Sequence, residues 1–219
     1  MSKASRKAEQ ERRARKRRKK RILLGVILAA CVCAILAAVL IRMKGSQKDT
    51  AGDYTAEIVV KDYGTITVAL DKEAAPKTVE NFVSLAKSGF YDGLTFHRVI
   101  EGFMIQGGDP NGDGTGGSDQ TIPGEFSANG YDNPLSHTRG TISMARAQDY
   151  DSASSQFFIM QEDNTSLDGQ YAAFGHVTSG MEVVDAICQD AVNGDSNGVL
   201  PAEDQPVIES ITIQDTQAE

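Results

Sequence analysis

The segment Phe96-His97-Arg98-Val99-Ile100-Glu101-Gly102-Phe103-Met104-Ile105-Gln106-Gly107-Gly108-Asp109 leaves its backbone few choices. Two short runs of β-branched and aromatic residues flank Glu101-Gly102, the pattern of a hairpin. Its register decides which side chains meet. A two-residue loop would pair Ile100 with Phe103 and Arg98 with Ile105. A three-residue loop through Phe103 pairs Ile100 with Met104 and Arg98 with Gln106. We expect the second. Side chains alternate along a strand, so that register gathers Arg98, Ile100, Met104 and Gln106 on one face, with Phe103 at the tip beside them. A guanidinium, an amide, a thioether and a phenyl ring on one surface can seat an apolar ring and grip a peptide backbone.

The neighbouring sequence reads as a small, strand-rich domain. Glu57 to Val60 and Thr65 to Leu70 alternate as an opening hairpin around Tyr63-Gly64. Pro76 suits a helix first turn, Val79, Phe82, Val83 and Ala86 recur at helical spacing, and Gly89 ends the run. Ile142 to Ala145, Gln156 to Met160 and Ala172 to Val177 are further strands, Met181 to Gln189 a second helix, and Val207 to Ile213 a closing strand. Many short strands with two helices suggest a closed antiparallel barrel with helical plugs.

FHRVIEGFMIQGGD, GTGG at Gly114 to Gly117, SMARA at Ser143 to Ala147, SQFFI at Ser155 to Ile159 and LDGQYAAFG at Leu167 to Gly175 resemble, in order and spacing, the cyclophilin-type peptidyl-prolyl isomerases. The resemblance runs from about Ala56 to about Ile213. It implies a mostly-β fold: a closed eight-stranded antiparallel barrel capped by two α-helices, here across residues 54–215. It implies that Arg98 is catalytic, that Gln106 and Gln156 bind backbone or orient Arg98, and that Phe103, Met104, Phe158 and Leu167 form a proline pocket. The backbone of Arg146, flanked by Ala145, matches the place where the substrate chain is held. Tyr171 stands where the family has a pocket histidine, and Arg146 where many members have Asn. Ser166 replaces the Trp of cyclosporin-binding members, and the chain has no Trp at all, which argues against cyclosporin binding. The expected partners are proline-containing polypeptides, met by a monomer without cofactor.

The chemistry is consistent with these residues. Twisting a peptide bond costs about 18–20 kcal/mol because it breaks amide resonance, and X-Pro exchange takes tens to hundreds of seconds unaided. A 10⁴-fold acceleration requires roughly 5.5 kcal/mol. As the bond twists, the proline nitrogen pyramidalises and gains a lone pair. A donor aimed there stabilises the transition state more than the ground state. Arg98, planar and permanently charged, is the natural donor. The competing reading is a module that binds proline segments with little turnover, suggested by Arg146, Ser166 and Tyr171.

Charge divides the chain. Residues 1–48 hold fifteen basic residues against Glu9 and Glu11, a net +13, whereas the remainder carries −21. Residues 1–21 form a basic tail without core-forming residues. Ile22 to Ile41 is a run of twenty residues without a charge, long enough to span a bilayer and lacking the polar face of a soluble core helix. The basic flank predicts a cytoplasmic N-terminus, a single membrane pass and an extracytoplasmic domain, with residues 42–53 as linker and 216–219 as a C-terminal tail. Val39-Leu40-Ile41-Arg42 fits signal cleavage poorly. Leu28-Ala29-Ala30-Cys31 resembles a lipoprotein box, but ten more apolar residues follow.

Other chemistries find less support. Asp109-Pro110-Asn111-Gly112-Asp113 resembles the start of a calcium loop, but Gln120 stands where a bidentate Glu belongs. His97, His137 and His176 lack metal-ligand spacing and read as hydrogen-bonded structural residues; no metal site is expected. No nucleophile elbow or phosphate loop is present. A nucleic-acid arm is the lesser reading of the basic tail, and no nucleic-acid partner is expected. Cys188, the one cysteine of the domain, reads as a small apolar residue.

Overall fold

In this computed structural model, residues 54–216 are described. The expected basic tail, membrane span and linker lie outside them. Among the described residues no helix is long and apolar enough to cross a membrane. Alternation builds the scaffold. Strand β1 (Tyr54–Val60) buries Ala56, Ile58 and Val60, and β2 (Gly64–Leu70) buries Ile66, Val68 and Leu70. They pair antiparallel with Ile58 opposite Ile66. The remaining strands are β3 (Arg98–Ile100), β4 (Met104–Gly107), β5 (Thr141–Met144), β6 (Phe157–Met160), β7 (Ala173–Ser179) and β8 (Ile208–Asp215).

These eight strands form one antiparallel sheet in the order β3-β4-β6-β5-β7-β2-β1-β8. The closed barrel expected from the sequence is not formed. β3 and β8 are the two edges and share no ladder. The chain before β3 meets the start of β8 through an isolated Thr95–Val207 bridge and bonds such as Ile208 N to Leu94 O at 2.8 Å. The outer edge of β3 is taken instead by the loop that ends at Leu200, through an isolated Arg98–Val199 bridge and the bonds Val99 N to Gly198 O at 2.8 Å and Leu200 N to His97 O at 2.9 Å. The result is a strongly curved half-barrel.

Two helices complete the domain. Helix α1 (Pro76–Lys87) follows Ala75, which offers no side-chain cap. Buried Glu125 supplies the missing acceptors from a distant loop, taking the N–H groups of Lys77 at 2.9 Å and Thr78 at 2.8 Å. A carboxylate there satisfies orphan donors and meets the positive end of the helix. Phe82 on the buried face of α1 contacts Tyr91, Phe157 and Phe174 with ring centres 5.2 to 5.4 Å apart. Helix α2 (Met181–Asp190) buries Val183, Val184, Ile187 and Cys188. Burial pushes the Cys188 thiol up to about 12, so it remains an inert apolar group. Asp185 on α2 is gripped by Arg139 through two hydrogen bonds of 2.8 and 2.6 Å.

The period of two separates core from site. Ile105, Phe157 and Ile159 enter the main core, whereas Met104, Phe158 and Met160 form a second small cluster with Phe103, Leu167 and Tyr171. Each step along β4 and β6 therefore changes faces.

Candidate functional site

The hairpin adopts the three-residue loop: Arg98 pairs with Gln106, Val99 with Ile105 and Ile100 with Met104. Gly102 turns the tip at φ +75°, a left-handed conformation that suits glycine. Arg98 and Gln106 thus project from one face as neighbours. Phe158 joins them because β4 pairs with β6 in a register that sets Gln106 opposite it.

A one-way chain of hydrogen bonds fixes Arg98. Gln156 Nε2 donates to the main-chain oxygens of Gly114 at 3.1 Å and Gly116 at 2.7 Å. Carbonyls can only accept, so the Gln156 amide has one orientation and its Oε1 faces the hairpin. That oxygen accepts from Gln106 Nε2 at 2.8 Å, which turns Gln106 Oε1 toward Arg98. Arg98 Nη1 donates to it at 3.1 Å. From the opposite side Arg98 Nε donates to the main-chain oxygen of Asn197 at 2.8 Å. Nη2 has no partner among the described residues. Partial burial lowers the Arg98 pKa, opposed by Tyr171 and Asp195, but a guanidinium remains protonated in proteins.

Arg98 lines a cavity of about 440 Å³. Met104 and Phe158 give it an apolar floor, and Phe103, Leu167, Ala145 and Tyr171 form its sides. Arg98, Gln106 and Arg146 supply its polar rim. The expected Gln156 lies instead in an adjoining cavity of about 350 Å³, lined by the glycine loop and sharing Gln106, Gly114, Ala145 and Arg146 with the first.

The floor is supported from beneath. His137 stacks on Phe158 with centres 5.9 Å apart and planes 18° from parallel. Its Nδ1 lies 2.9 Å from Asp168 Oδ1 and its Nε2 3.0 Å from Ser143 Oγ. Tyr171 meets Phe158 edge-on at 5.8 Å. The Arg146 guanidinium packs between Phe126, Tyr150 and Tyr171, 4.8 to 5.2 Å from their ring centres, and its Nε donates to Gln170 O at 3.0 Å. Its charge is thereby directed into the protein wall.

The structure adds residues that the sequence reading did not assign to the site. His97, Asp113, Gly114 and Val199 line the larger cavity. His97 is fully buried with neither ring nitrogen hydrogen-bonded, so its expected role as a hydrogen-bonded residue is corrected; His137 does have that role. Its position next to Arg98 was the available signal. His176 is exposed and packs beside Gly140. Asp109 accepts the N–H groups of Asn111, Asp113 and Gly114, using its carboxylate to shape the glycine loop.

Comparison with known proteins matches residues 55–218 to the family model described as cyclophilin type peptidyl-prolyl cis-trans isomerase/CLD. The chain is 48% identical over 141 residues to peptidyl-prolyl cis-trans isomerase B of Bacillus subtilis, covering 64% of this chain and 92% of that protein. It is 45% identical over 161 residues to peptidyl-prolyl cis-trans isomerase A of Dickeya dadantii, covering 71% and 83% respectively. A crystal structure of a Cryptosporidium parvum cyclophilin type peptidyl-prolyl cis-trans isomerase, in the presence of the dipeptide Ala-Pro, superposes with a TM-score of 0.65 at 31% identity. It covers 73% of this chain and 98% of that one.

Proposed function

The chain belongs to the cyclophilin-type peptidyl-prolyl cis-trans isomerases, and we propose that Arg98 carries this activity by donating to the proline nitrogen as the imide twists. The proline ring sits on Met104 and Phe158. The chain preceding it runs past Ala145 and Arg146, which line the same cavity. The observation that carries this reading is the two-sided hold on Arg98, which leaves Nη2 without a partner among the described residues while the residue lines a cavity sized for a ring. A preorganised charged donor acts most strongly on the species whose nitrogen has gained a lone pair, namely the transition state. No proton transfer is needed, and Arg98 keeps its charge throughout.

A protease-coupled assay on a proline peptide tests this. Wild type is expected to accelerate exchange, with Arg98→Ala slower by about two to three decades, the scale for removing one preorganised donor. Equal rates would overturn the role of Arg98.

We further propose that residues 22–41 tether the enzyme to the membrane as an uncleaved single-pass anchor, with exported or surface chains as its clients. The support is the uncharged run and its basic flank. Protease added to intact cells, or to spheroplasts where an outer membrane exists, is expected to digest the domain and spare a tag at Met1. Protection of the domain in both would contradict this orientation.

A further inference from the structure

Arg98 is clamped from two sides, and the glutamine chain accounts for only one. The other clamp is the Asn197 carbonyl, which belongs to an exposed loop. A carbonyl on a free loop would make a poor anchor. This loop is organised around Asp195. Its Oδ1 accepts from the N–H groups of Asn197 at 2.7 Å and Val199 at 3.0 Å. Its main-chain N–H donates to Val199 O at 3.0 Å, and its carbonyl accepts from Gly198 N at 2.9 Å. The resulting turn is sewn to the strand that carries Arg98. Val99 N donates to Gly198 O at 2.8 Å and Leu200 N to His97 O at 2.9 Å. Gly198, at φ +83°, approaches so closely that a Cβ there would lie 2.5 Å from Ile100 Cγ1 and 2.6 Å from Val99 O. No larger residue fits this contact.

We propose that Asp195 is a positioning residue for the isomerisation. Its carboxylate folds residues 195–199 so that the Asn197 carbonyl holds Arg98 Nε, which with the Gln106 bond fixes the guanidinium plane and turns Nη2 to the cavity. Asp195 touches no substrate and acts only through Arg98. The inference rests on Arg98 being the reacting donor. Geometry rather than charge is what Asp195 provides, so an Asn at this position, which keeps an oxygen able to accept both N–H groups, preserves the turn.

The full-length protein tests this through four variants: Asp195→Ala, Asp195→Asn, Arg98→Ala and the Arg98→Ala/Asp195→Ala double mutant. Asp195→Ala is expected to lower kcat/KM about tenfold, near one decade, with peptide affinity by NMR titration unchanged. Asp195→Asn is expected to keep nearly wild-type activity. In the Arg98→Ala background, Asp195→Ala is expected to have no further effect, because the residue it positions is absent. The Arg98 Nε–H resonance, protected from exchange in wild type, is expected to lose protection in Asp195→Ala and keep it in Asp195→Asn. Asp195→Ala with wild-type activity beside an inactive Arg98→Ala would overturn the positioning role alone. Further loss in the double mutant would do the same. Full activity in Arg98→Ala would overturn the reading of Arg98 and this inference with it.

Discussion

At Arg98 three groups of N–H donors have three fates: Nε is held by Asn197, Nη1 by Gln106, and Nη2 has no partner among the described residues, in a side chain that lines the cavity. Only a planar fork serves all three at once, so Arg98→Lys keeps the charge but loses the aim. Its kcat/KM is expected near that of Arg98→Ala rather than wild type. The proposed mechanism needs no titrating base: Arg98 stays charged and burial keeps His97 neutral at pH 7, so kcat/KM is expected flat between about pH 7 and pH 9. Stability behaves differently. Burial lowers the His97 pKa, against Asp109 and with Arg98, while Asp113 opposes it. Burial also lowers that of His137, opposed by Asp168. The unfolded chain takes up these protons near pH 6.5, and the folded protein resists them. Stability is therefore full above about pH 6.5 and declines as pH falls toward the lower folded values. The urea midpoint is expected to drop from about pH 7.5 to about pH 5.5, with a shallower drop in His97→Gln.

At the scale of elements, α1 depends on a carboxylate 48 positions after Lys77 in sequence. Glu125→Ala leaves the part-buried N–H of Lys77 and the buried N–H of Thr78 without acceptors. It is expected to cost about 1.5–3 kcal/mol, read from urea unfolding with the slope unchanged. Glu125→Gln keeps one acceptor and is expected to lose less. This cap was not legible in the sequence, because nothing near Ala75 announces it and the contact is decided by the tertiary fold. The hairpin was legible for the opposite reason: its register follows from local alternation and a three-residue turn, and both lie within Phe96 to Asp109. The helices were also readable, since apolar spacing and the flanking Pro76 and Gly89 are local signals. The loop of residues 193–200 reads as a polar, glycine-containing connection. Its part in holding Arg98 arises only when Gly198 bonds to Val99, almost a hundred residues away in sequence.

At the scale of the molecule, curvature rather than closure creates the site. The sheet keeps β3 at its edge, where the outward face carries Arg98 and Gln106 and the inward face joins the core. Sequence alternation could give strand number and face, but the contacts at the outer edge of β3 come from the long connection after α2, through Gly198, Val199 and Leu200. The family match covers residues 55–218, so a chain starting at residue 54 is expected to isomerise a soluble peptide within about twofold of the full-length rate. The central claim is that the guanidinium acts on the twisting bond rather than on binding. Exchange NMR on a proline peptide saturating the enzyme separates the two. Wild type is expected to show rapid cis–trans exchange on the protein, and Arg98→Ala the same binding shifts with exchange slower by about two to three decades. Equal on-enzyme exchange in both, or binding shifts without exchange in wild type, would contradict the account.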